Sequence, residues 1–108
     1  MNKSAKGNAA DVRTTKLLEA DGWTVGSRRH IPGPGDLLAV RFDAGDYPLG
    51  RLIEVKARKD LWQGFRREDR RELAEYAADH GLIAEVCWWA PRAPLPQFLA
   101  VDAWPSSR

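Results

Sequence analysis

Hydrophobic positions along this chain switch between two periods, and each switch marks an element. Ala10, Thr14, Leu17 and Leu18 recur at helical spacing. Asn8 is placed to cap that helix, with Asp11 at capping-box distance, and Gly22 follows as a left-handed stop. The pattern therefore predicts a helix from about Asn8 to Asp21, preceded by a polar, flexible Met1–Gly7. Trp23 to Arg28 alternates in the manner of a strand, and Ile31-Pro32-Gly33-Pro34-Gly35 can only be a shaped loop. Asp36 to Phe42 is apolar enough for a central strand, Asp43 to Gly50 is rich in turn formers, and Arg51 to Ala57 is a third strand. A loop from Arg58 to Phe65 leads to a second helix, with Leu73, Tyr76, Ala77 and His80 on its stripe. Arg70, Arg71, Glu72, Glu75 and Asp79 are placed outside that stripe, and Gly81 ends the helix. Ala84 to Trp89 reads as a fourth strand closed by Pro91, and Gln97 to Val101 as a short edge strand. The order α-β-β-β-α-β(-β) predicts an α/β fold, a mixed central sheet flanked by helices.

Length and composition narrow this to one domain. The 108 residues allow a single modest core, and nothing repeats internally. A domain this small gains from association, so a homodimer is expected. No apolar run approaches the ~20 residues that span a bilayer, and no signal-type segment opens the chain. Cys87 is the single cysteine, which excludes an intrachain disulfide and a zinc-type Cys/His set. A reducing, cytoplasmic setting is expected. The net charge of +2 is unevenly spread: residues 51–71 carry +4, residues 72–108 carry −3, and the first fifty carry +1. A basic middle suits a polyanion, although a solvated helix face has the same signature.

The third strand carries the chemistry. Period-2 geometry puts Glu54 and Lys56 on one face, with Ile53, Val55 and Ala57 on the other facing core. Charges on a mostly buried strand need pairing or a metal. Asp36 opens the preceding strand straight after Pro34-Gly35, and the short connection between the strands implies that they are neighbours. Two adjacent carboxylates repel, and a hard divalent cation relieves that repulsion. A lysine beside them can orient a water or stabilise charge building on a phosphate.

Pro34-Gly35-Asp36 followed by Glu54-Val55-Lys56 resembles the PD-(D/E)XK nuclease signature. Lys6-Gly7-Asn8-Ala9-Ala10-Asp11, Asp21-Gly22-Trp23 and the helix ending at Gly81 extend the resemblance, over roughly residues 6 to 90, to archaeal-type and phage Holliday-junction resolvases. The resemblance implies a restriction-endonuclease-like core and a magnesium-dependent endodeoxyribonuclease, with manganese able to substitute and no small-molecule cofactor. It implies that Asp36 and Glu54 bind the metal and that Lys56 serves the water or the transition state. Asp11 matches the position of a metal-binding Glu in the first helix, and simple capping is its other reading. Arg29 matches a basic residue near the scissile phosphate. The sequence departs from the pattern in having no Ser between Ile31 and Gly35, which leaves His30 as a substitute phosphate contact. A host cytoplasm is the expected location if a phage encodes the chain.

Arg28, Arg58, Lys59, Arg66 and Arg67, with Lys16 and Arg70, are further candidates to track DNA phosphates, or else are merely solvated. Trp62 and Phe65 either stack at a branch point or plug a core edge, and Cys87 reads as a small buried apolar side chain. Trp88 and Trp89 face opposite ways, one toward the core and the other toward an interface. Paired cuts in a two-fold symmetric junction need two active sites, hence a homodimer on branched double-stranded DNA. Two alternatives stay open: a nuclease of the same fold acting on flaps, ends or duplex, and a nucleic-acid-binding module that does not cut.

Overall fold

The structure, a computed structural model, describes residues 5–42, 48–61 and 64–101, with side chains from residue 8 onward. Helix α1 spans Ala5–Ala20 and α2 spans Arg67–Asp79. The strands are β1 (Thr24–Ser27), β2 (Leu37–Arg41), β3 (Leu49–Lys56), β4 (Ile83–Trp88) and β5 (Gln97–Ala100). The predicted order holds, including the final edge strand.

The start of α1 corrects the expected cap. The helix begins at Ala5, so Asn8 lies inside it and Asp11 lies beyond its first turn. Ala5, Ala9 and Ala10 are the strongest of helix formers and carry the helix back past the predicted start. Its other end is as expected: Gly22 takes φ +90°, and the Trp23 amide reaches back 3.0 Å to the Leu18 carbonyl. Gly81, at φ +68°, closes α2 in the same way, with the Leu82 amide 2.8 Å from the Ala77 carbonyl.

The five strands lie in sequence order across one sheet. β1, β2 and β3 form an antiparallel meander, α2 crosses over to place β4 parallel to β3, and β5 returns antiparallel at the edge. β3 is therefore central, and it packs on both faces. Ile53 and Val55 join Leu37, Ala39 and Cys87 beneath Ala10 and Leu18 of α1. Leu52 and Val86 join Leu61 and Phe65 beneath Leu73 and Ala77 of α2. Phe65 is thus a core plug, and Trp89, not Trp88, joins Trp23 in the α1 core. Trp62 and the turn residues Asp43 to Tyr47 lie outside the described residues.

Polar groups within and beside this core are satisfied rather than stray. Thr14 donates to the Ala10 carbonyl at 2.8 Å, accepts from the Trp89 indole at 2.8 Å and contacts the Cys87 thiol at 3.6 Å. Arg51 forks onto Glu85 with contacts of 3.0 and 2.5 Å. Arg70 corrects the expected polar face of α2: it is buried, and donates to the Phe65 carbonyl at 2.7 Å. Burial, reinforced by Arg67 nearby, lowers its guanidinium pKa.

Burial pushes the Cys87 thiol up to about 11. An exposed cysteine ionises near pH ~8.5, so the unfolded chain loses this proton first, and stability falls as pH rises from that value toward 11. Urea melts at pH 8 and pH 10.5 are expected to show a larger alkaline loss for the wild type than for Cys87→Ala. In the folded wild type at pH 8, a thiol reagent should label Cys87 far more slowly than in urea.

Candidate active site at the end of the β2–β3 pair

The register of the meander decides what meets what. Leu37 pairs with Ile53, so Asp36 stands at the step where the chain would next meet Glu54. Here the ladder changes character. The Asp36 amide donates 2.8 Å to the Ile53 carbonyl, while the Val55 amide is taken at 2.7 Å by the Asp36 carboxylate Oδ2. A side chain replaces a backbone carbonyl, and this fixes the direction of the carboxylate against β3. Glu54 and Lys56 share the α2 face of that strand, with Lys56 Nζ 3.4 Å from Glu54 Oε2 and both side chains about four-fifths buried. Lys56 Nζ also donates to the Gly64 carbonyl at 3.1 Å and lies 5.8 Å from the centre of the Phe65 ring. Asp36, Glu54 and Lys56 are thus brought together as the spacing predicts.

The loop before Asp36 is built around Arg28. This residue is 8% exposed. Its Nε donates to the Pro34 carbonyl and its Nη2 to the Pro32 carbonyl, both at 3.2 Å, and its guanidinium lies over the Tyr76 ring of α2 at 5.1 Å. The sequence offered Arg28 as a phosphate contact, whereas its side chain is committed to the loop. Strand alternation puts Arg28 on the face opposite Val25, which packs against the α1 core. Tyr76, expected only as a stripe residue, was missed as a partner of this loop.

The other predicted contacts are more dispersed. Arg29 is exposed and donates 2.7 Å to the Asn8 side-chain oxygen, tying the end of β1 to α1. Asp11 lies on α1, which covers the Ile53 and Val55 face of the sheet, the layer opposite Glu54 and Lys56. Among the described residues no three His, Cys, Asp or Glu side chains gather closely enough to hold a metal ion. Asp36 and Glu54 nevertheless present hard oxygen donors from adjacent strands, the donor chemistry that a divalent cation of the magnesium class takes. His30, Arg58, Lys59, Arg66 and Arg67 are exposed: His30 follows β1, Arg58, Lys59 and Arg66 lie between β3 and α2, and Arg67 opens α2. The Arg58 carbonyl accepts from the Trp88 indole at 2.8 Å, and the Arg66 amide caps α2 by donating to Asp69 at 2.9 Å.

Comparison with solved structures decides the fold. The chain superposes on the 1.6 Å structure of Hjc, a Holliday junction resolvase from the archaeal hyperthermophile Archaeoglobus fulgidus, with a TM-score of 0.74. This chain shares the fold of Hjc. The match covers 96% of this chain and 80% of Hjc at 24% sequence identity, a likeness of fold. No protein-family model matches the sequence, and no curated protein matches it. Among the described residues no helix is long and apolar enough to cross a membrane.

Gly35 links the loop to the site. It sits at φ +92°, and a Cβ there would come within 2.7 Å of Cδ1 and 3.0 Å of Cγ of the fully buried Leu52. Gly35→Ala is expected to cost roughly 1–3 kcal/mol through backbone strain and this overlap, read as a lower urea midpoint at unchanged m-value.

Proposed function

We propose that the chain is a metal-dependent, structure-selective endodeoxyribonuclease that resolves four-way DNA junctions as a homodimer. The observation that carries this reading is the convergence of Asp36, Glu54 and Lys56 at one end of the β2–β3 pair, in a fold shared with a junction resolvase. Asp36 and Glu54 are the residues that would hold magnesium, or manganese in its place, and Asp11 would join them only by reaching round the end of the sheet from α1. When bound, the cation supplies a Lewis acid for the scissile phosphate.

The protein's own groups do the rest. The Val55 amide holds the Asp36 carboxylate in one orientation, so little reorganisation is needed when charge develops. Glu54 keeps the Lys56 ammonium at the site, where it faces the charge building on the phosphate. Its donation to the Gly64 carbonyl is the contact it exchanges for a phosphate oxygen. Arg29, His30, Arg58, Lys59, Arg66 and Arg67 supply cationic contacts for the duplex arms, and these weaken with salt. One domain carries one site, so paired cuts on a two-fold junction require two copies.

A second reading is a nucleic-acid-binding module of the same fold that does not cut, and the intact Asp36, Glu54 and Lys56 argue against it. An immobile four-way junction and a linear duplex of matching sequence, each in magnesium and in EDTA, separate the two. Paired magnesium-dependent cuts on the junction alone are expected. Cutting of linear or flapped DNA would keep the nuclease and discard junction selectivity, and tight binding without any cut would establish the module. Glu54→Ala and Lys56→Ala should each reduce cleavage by about 100-fold or more while leaving junction affinity in EDTA near wild type. Asp11→Ala should also raise the magnesium requirement; unchanged cleavage would remove it from the site.

A further inference from the structure

We infer that Arg28 is a positioning residue for the Asp36 carboxylate, acting through the Pro32–Gly35 loop against Tyr76, and not a contact to DNA phosphate. The role given to Asp36 rests on the nuclease reading above; the clamp does not.

A guanidinium withdrawn from water is costly unless its N–H groups find acceptors. Arg28 finds them in the Pro32 and Pro34 carbonyls, both at 3.2 Å. Those two residues have no amide hydrogen, so this stretch has few donors of its own and depends on outside ones to hold its carbonyls. Arg28 grips the same segment through its backbone as well. Its amide donates 2.9 Å to the Asp36 carbonyl, and its carbonyl accepts from the Ile31 amide at 3.0 Å. One residue therefore holds both ends of the loop and its interior.

Tyr76 is the platform on which this clamp rests. Its ring lies under the Arg28 guanidinium and is stacked on His80, with ring centroids 4.3 Å apart and planes 22° from parallel. The loop backbone runs against both partners. A Cβ on Gly33, which sits at φ +110°, would lie 3.1 Å from Tyr76 Cε2 and 3.2 Å from Arg28 Nη2. α2, Tyr76, Arg28 and the loop thus form one packed stack that ends at Asp36, whose carboxylate is seated on the Val55 amide. Groups that orient a metal-binding side chain from behind typically control metal affinity by 10–100-fold, with no contact to substrate.

The test uses Arg28→Lys, which keeps the charge but cannot span both carbonyls, Arg28→Met, which removes the charge, Tyr76→Leu, and Tyr76→Phe, which keeps the ring. Arg28→Lys is expected to raise the magnesium concentration for half-maximal junction cleavage by about tenfold and to speed hydrogen exchange of the Val55 amide. Tyr76→Leu should reproduce both shifts, the Arg28→Lys/Tyr76→Leu double variant should be no worse than either alone, and Tyr76→Phe should behave as wild type. Junction binding in EDTA should keep its salt dependence in Arg28→Met; a salt slope smaller by about one would make Arg28 a phosphate contact and overturn the proposal. Wild-type values of both magnesium requirement and Val55 exchange in Arg28→Lys would overturn it equally. If Arg28→Met fails to fold by circular dichroism, Arg28→Lys and Tyr76→Leu decide. If the wild type shows no metal-dependent cleavage, the nuclease reading fails by itself, and Val55 exchange alone decides the clamp.

Discussion

Everything in this structure depends on β3 burying both faces while carrying a carboxylate and an ammonium at its end. Ile53 and Val55 are closed over by α1, and Leu52 by α2, so the strand can neither slip nor rotate without exposing one core or the other. A slip of one residue would send Glu54 and Lys56 into the α1 core and Val55 out of it. The packing of both helices is therefore also what aims the two charges. Hydrophobic burial supplies the rigidity, and the polar end of the strand uses it.

That polar end solves a hydrogen-bonding problem at the place where the strands part. Backbone pairing of β2 with β3 ends at the Asp36 amide, and without a partner the Val55 amide would be left as a donor beside the core. The Asp36 carboxylate accepts it, so one side chain both completes the sheet and stands at the candidate metal site. A charge-assisted bond of this kind is stronger than the neutral one it replaces. The loop that delivers Asp36 faces the mirror problem, with prolines that cannot donate and carbonyls that still need donors. Arg28 supplies these from within the fold.

The same economy appears at the other charged positions of the core. Arg70 is spent on the Phe65 carbonyl, which anchors the segment leading into α2 near the Gly64 carbonyl that Lys56 contacts. Arg51 and Glu85 are paired across β3 and β4, and Thr14 joins the Trp89 indole to the Cys87 thiol. A basic composition in the middle of the chain thus divides into two populations. Arg28, Arg51 and Arg70 hold backbone or carboxylate inside the molecule. Arg29, Arg58, Lys59, Arg66 and Arg67 remain outside, where a polyanion can reach them.

The sequence by itself determined the elements, their order and the three residues at the end of the β2–β3 pair, because these are local matters of period, turn chemistry and strand alternation. Gly22 and Gly81 stop their helices where expected, since only glycine takes the left-handed turn there without strain. Glu54 and Lys56 share a face because alternation admits no other arrangement. The start of α1 was misjudged because a run of good helix formers outweighed the capping signal at Asn8. Only the tertiary structure decided which arginines are spent inside. A guanidinium that meets a proline carbonyl from another turn and a tyrosine from another helix looks, in sequence, like one that meets water. It also decided that Asp36 completes the sheet as well as facing the site, since that depends on register with a strand nineteen residues away. Period and turn chemistry act over a few residues and are written in order along the chain; burial and long-range pairing exist only once the sheet has closed.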